Sequence, residues 1–169
     1  EDLGLTLEVP AGAAAARLTS RRLVLQPEVD RAAAAVLGPQ GGRPSLAFLA
    51  NDLRPLDDAG RPAAVGIPYS TVLGIDTTAH PAGPLVDDAG AALPLPAADE
   101  IIVDRWVADD LASRGRPLAV GDHLELRFFA PETLHGRVAE TSATFRVAGI
   151  AAMRGAATAR ELVPEVEGI

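Results

Sequence analysis

The sequence predicts an α+β fold, with mixed β-sheets and two principal helices. Three observations predict it. Several short segments alternate apolar with polar residues, the period of a half-buried strand. Two other segments space their apolar residues as a helix does and carry helix start and stop signals. Clusters of Gly, Pro and Asp punctuate the chain between them.

The elements follow in order. Leu3, Leu5, Leu7 and Val9 alternate with Gly4, Thr6 and Glu8, which predicts a strand with one apolar face. Residues 11–16 fit a helical turn or an ordered loop, and residues 22–26 read as a short strand. Pro27 then opens a helix over residues 27–37. Its fixed φ suits the first helical position, and Glu28 and Asp30 favour the positive end of the helix dipole. Gly38 and Pro39 stop it. Residues 45–53 and 65–76 predict a hairpin with a long loop, turned by the Asp, Gly and Pro cluster at residues 57–62. Pro68 marks the second strand as an edge or a bulge. Residues 77–99 are rich in Pro, Gly, Ala and Asp and read as a linker or a loop between lobes.

The second half is patterned more sharply. Residues 100–103 form a short apolar strand. Asp104 is placed as the N-cap of a helix running to about Arg114, with Val107 and Leu111 on one face and Asp110 four residues before Arg114. Gly115 and Pro117 end it. Residues 120–129 and 141–150 alternate as antiparallel partners, with Leu124, Leu126, Phe145 and Val147 inward and residues 131–140 connecting them. The tail after Ala151 is poorly patterned, and no internal repeat is visible. The chain reads as a single domain over residues 1–169. Its lobes are 1–76 and 100–169, joined by 77–99, one of them a small barrel-like or β-α-β-β unit.

Composition bounds the function. The chain has 169 residues, and 48% of them are hydrophobic, enough to bury a core. Aromatics are only 4%, so that core must be Leu, Val and Ile. The net charge of −8 opposes a nucleic-acid surface, which needs clustered basic residues to neutralise phosphates. The small basic cluster of Arg17, Arg21 and Arg22 reads as a solvated face. Lys is absent and Asn51 is the sole Asn, a compositional bias that weakens any argument that an individual Arg was selected over Lys. With no Cys there is no disulfide, thiol catalysis or cysteine-ligated zinc. No stretch is long and apolar enough to span a membrane. The chain opens at Glu1 without an initiator Met, which points to a piece of a longer protein whose other parts carry membrane segments.

The search for catalytic chemistry returns little. His80, His123 and His135 form no helical pair and no HExxH motif. A metal site from His123, Asp122 and His135 is geometrically possible, but surface histidines explain them as well. The acid pairs Asp57–Asp58, Asp87–Asp88, Asp99–Glu100 and Asp109–Asp110 bear on a glycosidase or aspartic-protease reading only if two carboxylates converge in a cleft. Adjacent acids in turns more often keep a loop hydrated. There is no G-x-S-x-G elbow and no phosphate-cradling glycine motif, and Ser70 sits within a strand pattern. The expectation is therefore a non-enzyme, with no catalytic, cofactor-binding or metal-ligating residues assigned.

Within residues 100–150 the order is EIIVD, RWVADDLA, LAVGDHLELRF, then TFRVAGI. This resembles the extracytoplasmic domain of FtsX/MacB-like ABC permeases, including relatives assigned to lipoprotein release. The matching positions are Ile102 and Val103, then Val120, Gly121 and Asp122, then Phe145, Val147, Gly149 and Ile150. Gly121 suits a tight turn, Asp122 can accept backbone N–H groups within it, and Gly149 permits a bend or close packing. In the first half, LAFLANDLR followed by IPYSTVLGID looks like a strand pair of some bacterial members.

The resemblance implies an extracytoplasmic domain, periplasmic or extracellular, held at the cell membrane by flanking helices absent from this chain. It would move with those helices when a cytoplasmic ATPase subunit binds and hydrolyses ATP. The exported substrate would be a lipoprotein, a lipid or another cargo, and a homodimer is compatible with the family. Phe129 and Leu134, at the connection of the second hairpin, are the expected partner surface. The competing readings are a stand-alone ligand-binding domain and a hydrolase with a paired-carboxylate site.

Overall fold

A computed structural model of the chain describes residues 4–9, 11–12, 15–20, 26–77, 80, 82–130, 139–159 and 162. Among the described residues seven strands form two sheets, accompanied by two α-helices. The α+β class predicted from the sequence is the class observed.

The smaller sheet is a two-stranded antiparallel ribbon of β1 (Leu5–Glu8) and β2 (Arg17–Ser20). Its second strand was not read from the sequence, and the strand assigned to residues 22–26 lies, apart from Gln26, outside the described residues. The reading of Arg17 as a solvated residue is corrected here as well. Arg17 is directly opposite Glu8, donates to its Oε2 at 2.6 Å, and leaves only 12% of its side chain exposed. Arg21 and Arg22 are outside the described residues.

Helix α1 (Pro27–Leu37) begins and ends where the sequence placed it, with Pro27 in the first turn and Glu28 and Asp30 near the positive dipole end. It runs into a 3₁₀ turn, Gly38–Gln40, closed by Gly41 at φ 85°. No residue of α1 is buried.

The five-stranded sheet has the order β4-β3-β6-β7-β5. It joins β3 (Leu46–Pro55) and β4 (Ile67–Gly74) to β5 (Glu100–Asp104), β6 (His123–Phe129) and β7 (Glu140–Ala151). β3 and β4 thus share one sheet with β5, β6 and β7, through the antiparallel pairing of β3 with β6. Both predicted hairpins form, β3 with β4 and β6 with β7. Pro68 lies on the edge strand β4, where its missing N–H breaks no interior ladder. Its neighbour Tyr69 takes φ 56° and is the one non-glycine residue with a positive φ among the described residues.

β5 leads through helix α2 (Arg105–Ser113) into β6, and β7 returns between β5 and β6. This is the β-α-β-β unit anticipated from the sequence. β5 pairs parallel to β7, with a register shift between Ile101 and Ile102 opposite Val147 and Gly149. Asp104 caps α2: its Oδ1 accepts the Val107 N–H at 2.8 Å. At the far end Arg114 donates to both carboxylate oxygens of Asp110.

Side-chain alternation divides the large sheet into two unlike faces. Leu124, Leu126 and Val147 point to one face and have no exposed surface, with Phe145 half-buried beside them. Leu111 from α2, Val103 and Leu118 complete this core. The opposite face carries Asp52 and Arg54 of β3 against Arg127 and Glu125 of β6, tied as Arg54–Asp52 and Arg127–Glu125 ion pairs. A slip of one residue would exchange these faces, so burial pins the register.

Two four-residue turns recur, against the expectation of no internal repeat. Asp57-Asp58-Ala59-Gly60 and Asp87-Asp88-Ala89-Gly90 adopt one conformation. In each, the first Asp accepts an N–H four residues on, Arg61 or Ala91, and the Gly N–H returns to that Asp's carbonyl. Both glycines lie at positive φ, 74° and 88°. Each turn closes a miniature hairpin through an isolated bridge, Leu56 to Pro62 and Val86 to Ala92.

Candidate functional site

The described residues 82–99 of the expected linker form a loop laid against the sheet. The Ala152 N–H donates to the Val86 carbonyl at 2.8 Å, and Arg154 Nη2 reaches the Asp87 and Asp88 carbonyls. Arg105 of α2 pairs with Asp88. Leu93 packs over Gly149, where an added Cβ would meet Leu93 Cδ2 at 3.0 Å. Gly149 therefore serves close packing, as its position in the sequence implied.

The loop and α2 together leave part of the apolar face uncovered. Between them lies a groove of about 430 Å³. Leu46 and Phe48 of β3, Val72 of β4, Phe145 of β7, and Leu93 and Leu95 of the loop line it. At the rim Leu46 is 63% and Leu95 50% exposed. The few polar groups include Ser70, Thr71, Thr77, Glu100 and Asp104. Two of these carboxylates are already engaged: Asp104 caps α2, while Glu100 pairs with Arg146 and accepts the Ala97 N–H. An apolar lining with committed polar groups suits burial of an apolar surface rather than proton transfer. This groove was not anticipated. It gathers residues from all five strands of the sheet, from α2 and from the loop, and no local period signals it.

The acid pairs do not act as units. Asp57 pairs with Arg61, Asp88 and Asp109 with Arg105, Asp110 with Arg114 and Glu100 with Arg146. Asp57 is held below the ordinary carboxylate range, first by the backbone N–H of Arg61 and then by its guanidinium. It shares a cleft of about 250 Å³ with Arg61, Arg116 and Asp122. A carboxylate held ionised in this way is poorly suited to donate a proton as a general acid. On the charged sheet face, the Glu125 carboxylate beside Arg127 holds that guanidinium above its ordinary value.

His123 opens β6 with its side chain exposed, and His80 lies in the 77–99 loop, where its Nδ1 accepts the Ala82 N–H at 3.1 Å. His135 lies outside the described residues, and with it the grouping of His123, Asp122 and His135. Among the described residues no three His, Cys, Asp or Glu side chains are grouped to hold a metal ion.

Phe129 is 56% exposed at the end of β6, opposite Glu140. Its neighbour Phe128 turns inward and meets Phe48, with ring centroids 5.4 Å apart. Glu140 in turn accepts from Asn51 Nδ2 at 2.8 Å. Leu134 lies outside the described residues.

The turn that carries the resemblance has the expected chemistry. Gly121 adopts φ 98°. Asp122 Oδ2 accepts the Ala119 N–H at 2.8 Å, and the Gly121 N–H donates to the Val147 carbonyl at 2.8 Å, fixing the turn to β7. No protein-family model matches the chain, and a search of curated proteins finds no match. Among the described residues no helix is long and apolar enough to cross a membrane.

Proposed function

We infer that this chain is the extracytoplasmic domain of an FtsX/MacB-like ABC permease, of the lipoprotein-release type. The observation that carries the reading is the β5-α2-β6-β7 unit, with its Val120-Gly121-Asp122 turn pinned to Val147. Strand, capped helix, glycine turn and closing strand pair occur in the order that the resemblance implies, and the matching glycines carry out the tasks their positions demand.

In this reading the work is mechanical and recognitional. A cytoplasmic ATPase subunit supplies the chemistry, and membrane helices on either side carry its motion outward. A sheet whose core residues Leu124, Leu126 and Val147 are fully buried transmits such motion as a rigid body. The exported lipoprotein, lipid or other cargo is handled at its surface. No residue of this domain acts as a catalyst, and the domain binds no cofactor. The gene itself tests the reading. Hydrophobic spans of about 20 residues on both sides of this segment are expected, and a gene encoding neither overturns it.

A second reading, a stand-alone domain that binds a small apolar ligand, is favoured by the 430 Å³ groove. The same gene distinguishes the two, because a stand-alone binding domain needs no flanking spans.

A further inference from the structure

Two surfaces of this chain are unsatisfied, and the chain joins them. The first is α1. Val29, Ala33, Val36 and Leu37 recur at the spacing of one helical stripe; Val29, Ala33 and Leu37 are only half-buried, and Val36 is 62% exposed. An isolated helix of 11 residues is marginal in water and owes its stability to tertiary packing of its apolar stripe. α1 also lacks a side-chain cap at its start and basic residues in its last turn, so its local support is limited to Pro27, Glu28 and Asp30 in the first turn. The second surface is the groove, whose rim residues Leu46 and Leu95 are open to solvent.

The tether selects the pairing. α1 ends at Leu37 and β3 begins at Leu46, which itself lines the groove. Residues 38–45 connect them, including Gly38, Gly41 and Gly42, and can reach at most roughly 27 Å when extended. The helix is therefore confined close to the groove at a high effective concentration, which a separate molecule must match by affinity. Gly41, at φ 85° with open space around it, sits in the turn that follows α1, a position where a glycine changes conformation without strain.

We propose that α1 is a hinged cover for the groove, and that its apolar stripe closes over the rim formed by Leu46 and Leu95. Closing buries both unsatisfied surfaces. Opening exposes the groove to an apolar ligand or partner. The inference does not depend on the permease reading.

The absence of cysteine gives a clean test. In the full chain, a short bismaleimide should link Val36→Cys to Leu95→Cys within one molecule. Ala35→Cys, on the opposite side of α1, should link to Leu95→Cys several-fold less. Equal linking of the two pairs, no linking by either, or linking only between molecules overturns the proposal. A second measurement covers the case in which a double variant fails to fold. Val36→Glu should raise the binding of an apolar fluorescent dye several-fold over wild type, and an unchanged signal contradicts a cover.

Discussion

Leu93 sits over Gly149 so closely that a methyl group on Gly149 would lie 3.0 Å from the Leu93 Cδ2 atom. Through this contact the loop of residues 77–99 is held against β7. A larger side chain at Gly149 must displace Leu93 or the loop behind it. Gly149→Val is expected to cost about 1–3 kcal/mol in urea unfolding. Adding Leu93→Ala should recover part of that loss, a coupling that independent sites do not show. Strict additivity would mean that the two residues do not press on each other.

Leu126 has no exposed surface and packs among Leu53, Leu124 and Val147. Leu126→Ala is expected to cost about 2–5 kcal/mol, the range for a buried leucine whose cavity collapses only partly. Thermal or urea denaturation reads it. No loss would place Leu126 on the other face and shift the β6–β7 register.

Asp104 holds the first turn of α2 by accepting the Val107 N–H at 2.8 Å. Asp104→Ala should cost about 0.5–2 kcal/mol, whereas Asp104→Asn, which keeps an acceptor, should cost much less. Equal losses from the two variants would show that charge, not the hydrogen bond, matters there.

Asp57 gives a pH signature. Its pKa is lowered from the ordinary 3.8, chiefly by the Arg61 backbone N–H and then by the Arg61 side chain. The folded-state value lies below the unfolded one, so the stabilisation is complete above the unfolded pKa. It is lost as pH falls through the folded pKa. The stability difference between wild type and Asp57→Asn should therefore be widest near neutral pH and close below 3.8. A difference unchanged at about pH 2 would show that ionisation is not its source.

Much of the fold is legible where interactions are local. Pro27 and Gly38 bracket α1, and Asp104 and Gly115 bracket α2, because caps act within one turn. The β6–β7 hairpin follows from strict alternation. The β1–β2 ribbon is harder to read because Arg17-Leu18-Thr19-Ser20 offers a single apolar residue. Its identity as a strand depends on the partner, Leu18 opposite Leu7 and Arg17 opposite Glu8. The parallel pairing of β5 with β7 is non-local and leaves no period in the sequence. The recurring turn was written in plain letters, but four residues are too short to stand out from a chain rich in Asp, Ala and Gly. The groove is illegible for the same physical reason as the core's shape, since it exists only after distant strands meet.

An extracytoplasmic domain held at the membrane must be reachable from outside the cell. The chain lacks cysteine, so Phe129→Cys, on the exposed end of β6, can report accessibility in a full-length protein whose other cysteines are replaced. Intact cells are treated with a membrane-impermeant maleimide, and the protein is recovered from membranes washed at alkaline pH. Labelling of Phe129→Cys in intact cells, with retention in the washed membranes, is the expected result. Labelling only after the cells are broken, or release of the protein from the washed membranes, would contradict it.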